Sequence, residues 1–248
     1  MRPRPALLAS AAALALLAPV GVMAHATSPE TRIVDGADVP EGQHPYVVYV
    51  NISGMGSCTG TLIHPEWVLA AHHCDVGYPM WITFGHVDRT KHKNVNIDKK
   101  VKSENSDMML MHLTKPITDI KPLALAPAPK PPYGEKVDVF GWGLTGVNGK
   151  APNILKTASM IVAKPKAEDA QGNITPEVDH KKGPAVVLEP GTGWVWKGDS
   201  GGPAIYNGKL LGVSSMSSDF SHQAWYGLVP DNLPWITTTT GLPMPTAP

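Results

Sequence analysis

The chain has 248 residues, 42% of them hydrophobic and 17% charged, and its 21 basic and 21 acidic residues balance to zero. That length can bury a sizeable core in one or two compact units. The charge balance, with no polybasic block, argues against nucleic acid or an acidic membrane as the main partner. The 24 Gly and 25 Pro argue against a helical bundle or a coiled coil.

In chain order, the first segment reads as an address. Arg2 and Arg4 precede an apolar stretch, Ala6 to Met23, and the small-x-small end Ala24-His25-Ala26. These are the marks of a secretory signal peptide, residues 1–26, cut after Ala26. A membrane anchor is the weaker alternative, because the stretch is short for a span, rich in Ala and interrupted by Pro19. Export to an oxidising compartment makes Cys58 and Cys74 a short-loop disulfide, with a two-ligand zinc site as the lesser alternative.

Beyond the signal, short runs rich in Val, Ile, Tyr and Trp alternate with Gly, Pro, Asn and Asp. Examples are Tyr46 to Ile52, Trp67 to Ala70, Met80 to Phe84, Asp107 to Leu113, Lys136 to Phe140, Ile154 to Val162 and Leu210 to Ser215. Their length and composition predict an antiparallel all-β protein. Residues 126–132, Ala-Pro-Ala-Pro-Lys-Pro-Pro, cannot enter a sheet interior and read as an extended linker between two β-rich halves. Lys164 to Lys182 is polar and reads as a long surface loop. Near the end, Asp231 or Asn232 is the expected cap of a short helix.

The strongest chemical signal is Gly198-Asp199-Ser200-Gly201-Gly202-Pro203. Glycines on both sides let the backbone turn sharply, which exposes a serine hydroxyl beside outward-pointing amides. That suits a nucleophile next to an oxyanion hole. A base is available in Ala70-Ala71-His72-His73-Cys74, where small neighbours allow a substrate backbone to approach. Asp107, at the head of an apolar strand, is placed to hold the imidazole's tautomer.

At these residues the chain resembles the trypsin-like, chymotrypsin-fold serine proteases. The matching segments fall in family order. They are Ile33-Val34-Asp35-Gly36, Cys58 to Ile63, Trp67 to Cys74, Asp107 to Leu113, Gly141-Trp142-Gly143, Gly198 to Pro203, and Tyr226 with Trp235-Ile236. The resemblance implies two antiparallel six-stranded β-barrels with a short C-terminal helix. It places the protease domain at 33–248, with a first barrel at about 33–125, the linker at about 126–132 and a second barrel at about 133–248. The short chain and single disulfide point to a secreted bacterial, actinobacterial-type member.

The same resemblance assigns His73 as base, Asp107 as its orienting acid and Ser200 as nucleophile. Gly198 and Ser200 would supply the oxyanion-hole amides, and Ser215 a hydroxyl supporting Asp107. His72 departs from the family, which has a small residue there. Residues 27–32 read as an activation propeptide. Cutting at the basic-apolar junction Arg32-Ile33 would free an α-amine to pair with Asp199, making the chain a zymogen.

By family position, Trp194, Val195, Met216, Ser217 and Ala224 line the specificity pocket, and Trp196 stands where many relatives have a disulfide Cys. Without a carboxylate at its base, the pocket should take apolar side chains of small to medium size and have little tryptic specificity. Asp219, entering from the neighbouring loop, would restore a basic preference. The expected partners are a protein or peptide substrate and an activating protease, with the enzyme a monomer needing no metal or cofactor. Two rivals are an esterase elbow, since Gly198 to Gly202 also fits Gly-x-Ser-x-Gly, and a non-catalytic protease homologue acting as an extracellular binding protein.

Overall fold

The computed structural model describes residues 33–127, 130–146, 149–164 and 176–246. The expected signal peptide and propeptide, with Arg32, lie outside the described residues. A two-residue strand β1 (Ala37–Asp38) is followed by six strands that close on themselves. These are β2 (Val47–Ile52), β3 (Gly56–His64), β4 (Trp67–Ala70), β5 (Met80–Phe84), β6 (Lys93–Lys102) and β7 (Met109–Leu113). All pairings are antiparallel, in the order β2-β3-β4-β7-β6-β5.

A second set follows: β8 (Lys136–Gly141), β9 (Lys156–Val162), β10 (Ala185–Glu189), β11 (Pro203–Tyr206), β12 (Lys209–Ser217) and β13 (Ala224–Leu228). It also closes, because β8 pairs with both β11 and β9 at the two ends of the order β9-β10-β13-β12-β11. The protein therefore has the two six-stranded barrels that the resemblance implied. Strand β9 is shared unevenly. Its first residues pair with β1 on one side, its last with β10, and between them Thr192 bonds Ser159 through both its amide and its hydroxyl.

Alternating burial explains most of these strands. In β9, Lys156, Ala158, Met160 and Val162 are buried while Thr157, Ser159 and Ile161 are partly exposed, the two-residue period of a half-buried strand. The turn between β11 and β12 is Asn207-Gly208, both at positive φ, as a two-residue hairpin of the primed type requires. Strand β6 was not expected. Its Lys and Asn side chains face out, and Val95 is its one buried residue, so the sequence lacks an apolar signature there.

The helix α1 (Val229–Thr240) starts earlier than expected, with Leu228 at the cap position and no side chain capping it. Asn232, expected as a cap, instead donates from Nδ2 to the Leu228 carbonyl at 2.9 Å from within the first turn. Val229, Asn232, Leu233, Ile236 and Thr240 are its buried residues, one face of a 3.6-residue period. That face joins a hydrophobic cluster that runs continuously from Val48, Leu62 and Leu110 in the first barrel to Phe140, Trp142 and Val213 in the second. The interior of the second barrel is a separate cluster containing Ile33, Val137, Met160, Leu188 and Tyr226.

A disulfide joins Cys58 on β3 to Cys74 at the end of the 3-10 turn His72–Cys74. It ties the strand behind the glycine-rich turn to the segment bearing both histidines. Closing a loop of this size should stabilise the fold by about 3 kcal/mol. The double variant Cys58→Ala/Cys74→Ala should lose about that much in denaturant unfolding, whereas equal stability would show that packing alone holds the turn.

Candidate active site

Asp107 is fully buried just before β7, and three donors converge on it. The His73 amide donates to Oδ1 at 2.9 Å, His73 Nδ1 lies 2.7 Å from Oδ2, and Ser215 Oγ donates to Oδ2 at 2.5 Å. Burial by itself would raise the Asp107 pKa, but the hydrogen bonds and charge of His73 and the Ser215 hydroxyl hold it below the ordinary carboxylate value. The carboxylate is therefore ionised at neutral pH and fixes the ring of His73, whose side chain is 31% exposed. That exposure leaves its other nitrogen available for proton transfer.

His72, beside it, points elsewhere. Its Nδ1 is buried without a hydrogen-bond partner among the described residues, and burial, with Lys181 and Lys102 nearby, keeps the ring below the ordinary imidazole pKa. Only one of the two imidazoles is bonded to Asp107, which separates candidates that adjacent positions in the sequence leave together.

Ser200 enters from the second barrel on the turn before β11. Gly198 and Gly201 both have positive φ, at 98° and 80°, a conformation that strains residues with a Cβ. Space makes the same demand at Gly201. A Cβ there would lie 2.4 Å from the Thr59 carbonyl oxygen and 2.8 Å from the Ala71 nitrogen. The turn is pressed against the histidine segment and β3. The Thr59 amide donates to the Ser200 carbonyl at 2.8 Å, and its hydroxyl donates to the Gly198 carbonyl at 3.1 Å.

Within the turn, the amides of Asp199, Gly201 and Gly202 donate to the carbonyls of Trp196, Ser214 and Asp199. Those of Gly198 and Ser200 have no protein acceptor among the described residues. Two such amides beside a serine hydroxyl can bind a developing oxyanion. His73 makes no hydrogen bond to Ser200 Oγ among the described residues. Catalytic hydrogen bonds in a free enzyme are commonly long and tighten when substrate binds.

The residues expected around the specificity pocket separate into two groups. Val195 and Ala224 are buried in the second-barrel cluster, whereas Met216 is partly exposed and Ser217 exposed at the end of β12. Trp194 is half-buried, pairs through its backbone with Val34, and stacks on His222 at 4.1 Å with the rings 8° from parallel. Trp196 is buried, with Nε1 unpartnered among the described residues. Asp219 is exposed on the turn after β12, next to a Phe220 that is 99% exposed. The sequence does not place His222 at the pocket, since a histidine in a polar turn carries no pattern of its own.

Asp199 is fully buried, and among the described residues its carboxylate accepts only the amides of Gly143 and Trp196, each at 2.8 Å. Ile33 is likewise buried, and its neighbour Val34 pairs with Trp194.

Strands closed into two barrels, with a histidine-aspartate pair from one and a glycine-flanked serine from the other, define a serine hydrolase of the two-barrel kind. The family model described as Trypsin matches residues 33–236, and the chain belongs to that family of serine proteases. It is 30% identical over 239 residues to snake venom serine proteinase 14 of Crotalus adamanteus, covering 86% of this chain and 89% of that protein. It is 32% identical over 226 residues to the thrombin-like enzyme elegaxobin-1 of Protobothrops elegans, covering 82% and 94%. Among solved structures, neuropsin, a serine protease expressed in the limbic system of mouse brain, superposes with a TM-score of 0.69. That match has 22% identity and covers 82% of this chain and 98% of that one; it speaks for the fold. Both sequence relatives are snake proteins and lend the expected actinobacterial-type membership no support.

Burial pushes the Asp199 carboxyl up to about 7 from its ordinary 3.8, against the pull of the Trp196 and Gly143 amides. Folded protein then binds a proton that the unfolded chain has lost, so stability falls as pH rises between about 4 and about 7. Denaturant unfolding of the uncut chain should show this decline, and Asp199→Asn should reduce it. Parallel pH curves for the two proteins would contradict an isolated buried carboxylate.

Proposed function

We propose that the chain is a secreted serine endopeptidase that hydrolyses peptide bonds through an acyl-enzyme formed on Ser200. The observation that carries this reading is the geometry at the barrel boundary. A buried, ionised Asp107 holds the His73 ring beside a serine turn that leaves two amides without an acceptor among the described residues. His73 takes the Ser200 proton as the hydroxyl attacks the carbonyl, and the Gly198 and Ser200 amides stabilise the oxyanion. The protonated imidazole then gives its proton to the leaving amine. Water, activated by the same base, releases the acid and restores Ser200.

Residues 1–26 are proposed as a signal peptide and 27–32 as a propeptide, with 33–248 the mature protease. Cleavage after Arg32 would deliver the Ile33 amine to Asp199, whose charge is otherwise held in a fully buried site by two amides. A buried carboxylate gains much from such a partner. The amine would keep Asp199 ionised and order the adjoining Gly198 amide. With Trp194 at its base and no carboxylate inside, the proposed pocket prefers apolar side chains of small to medium size.

The test is a serine-reactive phosphonate applied before and after trypsin cleavage, read by intact mass and peptide mapping. One adduct, on Ser200, appearing only once Ile33 is the N-terminus, is expected. Ser200→Ala should lose about 10⁶-fold in ester turnover. An unlabelled protein with the correct terminus would refute the nucleophile. Full activity in Arg32→Gln would refute the zymogen switch.

A further inference from the structure

Asp179 lies in the segment leading into β10, within the stretch expected to be a polar surface loop, yet it is fully buried. An uncompensated carboxylate in such a place is costly, so its donors show what it is for. Ser106 Oγ donates to Oδ2 at 2.6 Å and the Asp107 amide donates to the same oxygen at 2.8 Å. The amides of Lys181 and Gly183 donate to Oδ1, each at 2.9 Å. Two donors thus come from its own segment and two from the residues at the head of β7.

The fit leaves no slack. A Cβ on Gly183 would lie 2.3 Å from the Asn105 carbonyl oxygen, and one on Gly227 would lie 3.0 Å from Asp179 Oδ2 and 3.2 Å from Ser106 Oγ. Substituting either glycine would force the carboxylate or the first-barrel segment to move.

The next residue closes a circuit. The His180 amide donates to Ser215 Oγ at 3.0 Å, and that hydroxyl donates to the Asp107 carboxylate. The second barrel therefore holds Asp107 at two points, its side chain through Ser215 and its main chain through Asp179. Both holds issue from one dipeptide, Asp179-His180, whose imidazole also stands 6.1 Å from the His73 ring.

We infer that Asp179 is a positioning residue for the proposed triad. It grips the Asp107 amide across the barrel boundary and fixes the Asp107 carboxylate against His73. This inference rests on the triad reading above. A displacement of about 1 Å in catalytic geometry can cost about 10²-fold in rate.

Asp179→Asn preserves shape. Its Oδ1 can still accept from Lys181 and Gly183, but its amide group then faces the Asp107 N–H, donor against donor. In the cleaved enzyme, kcat on a peptide ester should fall about 10- to 100-fold while KM stays within about threefold. Added to Asp107→Asn, the same change should cost less than about threefold more, because the route through Asp107 is already broken. A kcat within about twofold of wild type, a loss carried by KM, or losses that multiply in the double variant would each overturn the inference. Should Asp179→Asn fail to fold, Ser106→Ala slackens the same grip. It should lower kcat about two- to fivefold at constant KM, and wild-type kinetics there would overturn the inference as well. A cleaved wild-type chain that neither turns over ester nor takes the phosphonate on Ser200 would instead overturn the triad reading itself.

Discussion

A carboxylate with no exposed surface has to find its donors within the protein, and Asp107 finds them on both barrels. His73 supplies an amide and a ring nitrogen from the first, and Ser215 supplies a hydroxyl from the second. Without those bonds, burial would favour the neutral acid. With them, the charge is held at the boundary, where the two barrels must keep a fixed relation for the contacts to survive. The continuous cluster from Val48 to Val213, with α1 laid against it, provides that fixed relation. Packing and electrostatics therefore depend on the same interface.

The glycine-rich turn follows from the same constraint. Ser200 can approach the histidine segment only because Gly201 has no Cβ to strike Thr59 and Ala71. The disulfide anchors the other side of that contact, joining β3 to the turn bearing His73. Three short segments, distant in sequence, are thus brought together by one missing side chain, one covalent bond and one buried charge. The free amides of Gly198 and Ser200 follow from how the chain must turn there.

Much of this could be read in the sequence. Trp67 to Ala70 and Met80 to Phe84 were bounded as the structure has them, because β-branched and aromatic runs between turn residues carry a two-residue signal. Strand β6 escaped notice since its outer face is a row of Lys and Asn and its pattern shows only in Val95 and Ile97. Within the site, local motifs identified Ser200 and a histidine pair, and the family resemblance chose His73 between them. Asp179 was invisible for a different reason. Its meaning lies in contacts with Ser106 and Asp107, more than 70 positions away, and an acidic residue among lysines reads as solvated surface. The close-set Gly183 is the one local hint, useful only once the neighbouring chain is known. The stacking of Trp194 on His222 is likewise a tertiary fact with no periodic trace.

Closure of the barrels also governs how the molecule meets copies of itself. An open sheet ends in a row of unpaired backbone groups on which another chain can build. Here each set of six strands returns to its start. The one place where β9 has pairing left over is covered by the two residues of β1 and by Thr192. An edge two residues long offers a foreign strand too few ladder bonds to hold it. At β9, then, the same closure that positions the site also leaves little edge on which a foreign strand could build.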